Sequence, residues 1–62
     1  MSRQEIRDRT GTLLGTLYVY LDYQELRDRT GNYRGKYDVK INETRDRHGP
    51  YVGRGNLLMT LL

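Results

Sequence analysis

Cysteine, tryptophan and phenylalanine are absent from the 62 residues, and proline and histidine occur once each. Each gap closes off a class of protein. Without cysteine there is no disulfide to brace a small core and no zinc site built on thiolates. His48 and Ser2 are the single histidine and the single serine, so a Ser-His-Asp constellation has almost nothing to draw on. No apolar run reaches the roughly 18 residues that a membrane-spanning helix requires. The opening Met1-Ser2-Arg3-Gln4-Glu5 is polar and carries an acid, which is not how a secretory signal begins, so the expected compartment is the cytoplasm. The composition points to a non-enzymatic chain with no cofactor and no metal.

What the chain has is repetition. Arg7-Asp8-Arg9-Thr10-Gly11 returns as Arg27-Asp28-Arg29-Thr30-Gly31 and again as Arg45-Asp46-Arg47-His48-Gly49. A second glycine follows four residues after the first in every copy, at Gly15, Gly35 and Gly53. Asp-x-x-Gly is a turn with a mechanism. The Asp side chain accepts from the backbone two residues on, and the Gly supplies the positive φ that closes a type I turn between antiparallel strands. Asp8 with Gly11, Asp28 with Gly31, and Asp46 with Gly49 are thus turn-forming pairs. The second glycine reads as a bend or a close backbone approach, not as a phosphate cradle.

The predicted fold is all-β: one domain over residues 1–62, built of three tandem β-hairpin repeats at approximately 5–23, 24–42 and 43–62. The hairpins are expected to pack as a rolled sheet, a prism or a short β-solenoid. Residues 1–4 read as a frayed end, and 22–24 as a link. In the second copy the alternation is clean, with Tyr33, Gly35, Tyr37, Val39 and Ile41 on one face and Arg34, Lys36, Asp38 and Lys40 on the other. The same parity assigns Leu13, Gly15, Leu17, Val19 and Leu21, then Tyr51, Gly53, Gly55, Leu57, Met59 and Leu61, to the core face. Thr44 stands where the other copies have Ile6 and Leu26. No segment competes as a long helix; residues 57–62 are long enough for one helical turn at most.

A chain this short, with 35% hydrophobic residues and no braces, is marginal alone. The parity also leaves Leu14, Tyr18, Tyr20, Val52, Leu58 and Leu62 on the outer face. Exposed apolar patches and open strand edges both invite association. The expected partner is a second copy, in a homo-oligomer with a dimer favoured, or another protein; a membrane is not expected.

Eleven basic residues stand against eight acidic ones, a net charge of +3. Nine of the basic residues are arginine. Arg7 with Arg9, Arg27 with Arg29, and Arg45 with Arg47 recur as pairs, and if each pair shares a strand face they form a candidate anion or nucleic-acid contact. The competing reading pairs them with Glu5, Glu25 and Glu43.

Tandem units of the form apolar-x-Asp-x-x-Gly-x-x-x-Gly resemble short repeats of small uncharacterised bacterial proteins, some carried on mobile elements. The matching residues are Ile6, Asp8, Gly11 and Gly15, then Leu26, Asp28, Gly31 and Gly35; the third copy matches only at Asp46, Gly49 and Gly53. The resemblance implies β-hairpins and no activity. Tyr33-Arg34-Gly35 and Tyr51-Val52-Gly53 also look like fragments of MORN hairpin repeats, but the later glycines of that pattern are missing.

Overall fold

A computed structural model describes all 62 residues. Six strands form in chain order: β1 (Ser2–Arg7), β2 (Leu13–Val19), β3 (Tyr23–Asp28), β4 (Tyr33–Asp38), β5 (Glu43–Asp46) and β6 (Tyr51–Arg54). They make one antiparallel sheet in which each strand lies beside its neighbour in sequence. The sheet is not closed into a barrel, so β1 and β6 are free edges. A single turn of 3₁₀ helix, Leu58–Leu61, follows. No helix is long and apolar enough to cross a membrane.

The three tips share one construction. The N–H of Gly11, Gly31 and Gly49 donates to the carbonyl of Asp8, Asp28 and Asp46, at 3.0 Å each time. The three glycines have φ of +89°, +92° and +97°, which an L side chain rarely adopts. Successive turns of a meander alternate ends, so all three Asp-Gly tips line up at one end of the sheet. The opposite end carries the two links, where Leu21 is 94% exposed and Val39 and Ile41 are exposed. Their assignment to the core face fails because the strands stop at Val19 and Asp38.

The starting strand also departs from expectation. Residues 2–4 are not frayed: Ser2, Arg3 and Gln4 pair with Val19, Tyr18 and Leu17. Tyr23 and Gln24, expected in a link, begin β3.

A one-residue bulge changes the faces just before the second glycine of each copy. Ile6 pairs with Gly15 but Arg7 with Leu13, leaving Leu14 extra; Arg34 and Val52 are the extra residues in the other hairpins. A bulge sets one more residue on one strand than on its partner and reverses parity beyond it. Tyr33 therefore stands opposite Arg27 on the outer face, not in the core. Arg34, expected outward, turns to the inner face, where its Nε donates to the Leu61 carbonyl at 2.9 Å.

The core is thin. Leu17, Leu26 and Leu58 are its buried apolar residues, with Ile6, Val19, Tyr37 and Leu61 packed around them. The two strand leucines pair across β2 and β3. Leu58 comes from residues 57–62, which lie as a strap over the inner face. The second glycines make that approach feasible. A Cβ on Gly15 would lie 2.9 Å from Leu62 Cδ2, one on Gly35 2.5 Å from Leu61 Cδ1, and one on Gly53 2.6 Å from Leu57 Cδ1. Three glycines, one per hairpin, thus form a shallow track for the leucines.

Candidate functional site

The glutamate-arginine motif builds the same small relay in each hairpin. Arg7 reaches Glu5 at 3.0 Å, Arg27 reaches Glu25 at 2.8 Å, and Arg45 reaches Glu43 at 3.6 Å. The same three guanidiniums donate through Nη1 to the carbonyls of Gly11, Gly31 and Gly49, at 2.8, 3.0 and 3.0 Å. The ion pairs run within a strand, between residues two apart, not across strands. Each relay ties a strand to its own tip. Because the pairs are exposed or half-exposed, their worth lies in orientation more than in stability.

The second arginine of each pair does not share that face. Arg9, Arg29 and Arg47 lie in the turns themselves, after the strands have ended. None is within salt-bridge distance of a carboxylate, and neither is Arg34. Arg47 and Arg34 line a cleft of about 320 Å³ together with Asp46, His48, Thr60, Leu61 and Leu62. Arg29 and Arg34 line a second of about 300 Å³ with Leu14, Asp28, Thr30 and Leu62. Arg34 is the wall between them. Strand alternation assigns it to the solvent side; the bulge turns it to the inner face near the tips, and the one residue-type mark of that bulge is the glycine that follows it in each copy. His48 Nε2 accepts from Arg47 Nε at 3.2 Å.

The turn carboxylates are engaged inward. Asp8 Oδ1 accepts from the Thr10 hydroxyl at 2.6 Å, the Thr10 N–H at 2.9 Å and the Thr12 N–H at 3.1 Å. Asp28 does the same with Thr30 and Asn32. The threonine hydroxyl first, then the backbone N–H of residue 12 or 32, holds each of these two carboxyls below its ordinary value. The Asp46 carboxylate accepts only from the His48 N–H, at 2.8 Å: His48 brings no hydroxyl, and Pro50, where the other copies have Thr12 and Asn32, has no N–H to donate.

The outer face has no covering layer. Tyr20 and Tyr23 stack there at 4.6 Å between centroids. Lys36 lies 5.4 Å from the Tyr23 ring, and Arg27 lies 5.8 Å from the Tyr33 ring. Desolvation, followed by the Glu25 charge, raises the Tyr20 and Tyr33 phenols. Tyr18 pairs with Glu25 on this same face.

Of the six residues expected on an apolar outer surface, only Tyr18 and Tyr20 are there. Leu14 and Leu62 line a cleft on the strap side, and Val52 is the bulged residue of the third hairpin. Leu58 is fully buried inside the chain. Parity fails for Leu58 because residues 58–61 coil as a 3₁₀ turn instead of continuing a strand.

No family model, curated protein or solved structure matches the chain.

Proposed function

We propose that this chain is a non-enzymatic, self-associating β-repeat module whose role is protein–protein interaction or structural assembly. The observation that carries the reading is the single-layer sheet. One face is covered only by a six-residue strap, the other faces solvent with its tyrosines, and both edge strands are unpaired. Three buried apolar side chains are a small core for 62 residues, and a second copy would add what the protomer lacks. In this reading the three hairpins of one chain curl as a rolled sheet over the strap, and association uses the open edges of that sheet. Light scattering on a size-exclusion column tests it. A dimer mass that dissociates on dilution is expected; a monomer at every concentration overturns the reading.

A second reading has its own support. Arg9, Arg29, Arg34 and Arg47 have no carboxylate partner and gather at the tip end. There they would contact phosphates of a nucleic acid or another polyanion. Three turn carboxylates stand among the four guanidiniums, so binding would be weak and would fall steeply with salt. A gel shift with mixed single-stranded DNA and RNA at low salt decides it, and absence of any shift removes it.

A further inference from the structure

The two free edges are not equivalent. β6 has four residues, carries the bulge at Val52, and is turned away by Gly55, whose φ is +86°. Shortness and a bulge both blunt an edge against pairing. β1 has six residues, and its bulge lies on β2, so its own backbone is regular.

The free side of β1 can be read residue by residue. Asp8 N–H points toward β2, where it donates to the Thr12 carbonyl. Alternation along a strand then directs the backbone groups of Ile6, Gln4 and Ser2 toward β2 as well. Those of Arg3, Glu5 and Arg7 point away from the sheet. The side chains of these same three residues share the outer face and alternate in charge. Arg3 has no carboxylate partner within the protomer. Glu5 uses Oε1 for Arg7, which leaves Oε2 open.

Resting on the self-association reading, we infer that the partner is a second copy paired antiparallel along β1, with the two-fold axis at Gln4. Other registers are worse for stated reasons. An axis at Glu5 sets Glu5 against the partner's Glu5 and Arg3 against the partner's Arg7, both repulsive. An axis between residues sets outward-pointing backbone groups against ones already committed to β2. An axis at Ile6 matches Glu5 with the partner's Arg7 but drives the Asp8 turn against Gln4 and shortens the overlap. With the axis at Gln4, Arg3 faces the partner's Glu5 in both directions and nearly the whole strand is used. About four interchain backbone hydrogen bonds form. The sheet doubles in width, with both straps on the same side.

The chain lacks cysteine, so a single introduced thiol reports on the register. Gln4 on the axis is a non-hydrogen-bonded pair, with Cα atoms about 4.5 Å apart, inside the range a disulfide spans. Gln4→Cys is expected to give the oxidised dimer at least about tenfold faster than Glu5→Cys or Ile6→Cys. Arg3→Glu is expected to raise the dimer dissociation constant about tenfold, and Arg3→Glu with Glu5→Arg to restore it to within about threefold. Circular dichroism of each variant verifies that the sheet is intact. Crosslinking fastest at Glu5 or Ile6, equal rates at all three, or no response to Arg3→Glu overturns this edge and register. If the unaltered chain still dimerises in light scattering, self-association stands and uses another surface. If it stays monomeric, both readings fall.

Discussion

The Thr44 hydroxyl holds the start of the strap to the sheet: it accepts the Leu57 N–H at 3.0 Å and donates to the carbonyl of Gly55, two residues earlier, at 2.7 Å. Thr44 is fully buried, at the position where the other two copies have Ile6 and Leu26. The departure from the repeat is thus a polar clamp in an apolar place. Thr44→Val keeps the shape and leaves both backbone groups without their partner. We expect a loss of about 1–3 kcal/mol in urea unfolding, with faster amide exchange at Leu57. Unchanged exchange there would mean that the hydroxyl does not hold the strap.

The glycine track predicts a graded response to alanine. At Gly15 the new Cβ would lie 2.5 Å from the Arg27 carbonyl oxygen, and at Gly35 2.5 Å from that of Arg45, both backbone atoms of a neighbouring strand. At Gly53 it meets only Leu57 Cδ1, the end of a movable side chain. Gly15→Ala and Gly35→Ala should each cost about 1–3 kcal/mol and Gly53→Ala clearly less, by thermal melts. Equal costs at the three would show that leucine contact, not the strand crossing, sets the penalty.

Neighbouring strap residues separate core from surface. Leu58 packs with Leu17 and Leu26, whereas Met59 is 48% exposed. Leu58→Ala is expected to cost about 2–5 kcal/mol, enough to unfold much of so small a protein. Met59→Ala should stay within about 0.5 kcal/mol. Far-ultraviolet circular dichroism against temperature reads both.

Acid should loosen the tips. The Asp8 and Asp28 carboxyls have lowered values in the fold, because hydrogen bonds favour their charged form. The stability linked to them is therefore present above the unfolded carboxyl value of about 3.9 and is lost as pH falls through the lowered folded values. Melting temperature measured from pH 6 down to pH 2 should drop on that limb. Asp8→Asn with Asp28→Asn keeps an acceptor oxygen but removes the titration, so the limb should flatten.

The hairpins were legible because Asp-x-x-Gly has a local mechanism that needs no tertiary context. The bulges were not: Leu14, Arg34 and Val52 share no residue type, the glycine after each one fits a bend or a close approach as well as a bulge, and one extra residue reverses every face assignment before it. β1 was hidden for a different reason. An edge strand bonded on one side needs little apolar alternation, and Ser2-Arg3-Gln4-Glu5 has none. Strand periodicity sets both arginines of each pair on one face, but the strands end at Arg7, Asp28 and Asp46, before the second arginine of each pair. The strap was unreadable locally, because Leu-Leu-Met-Thr-Leu-Leu suits several conformations and only the glycine track selects one.

The strap also runs backward through the repeats, meeting Gly53 with Leu57, Gly35 with Leu61 and Gly15 with Leu62. Six residues therefore measure off three hairpins, as a ruler would. A fourth hairpin inserted into the array would leave one glycine beyond the reach of any leucine. The spacing of these leucines and the spacing of the hairpins are therefore matched, and a change in one calls for a change in the other.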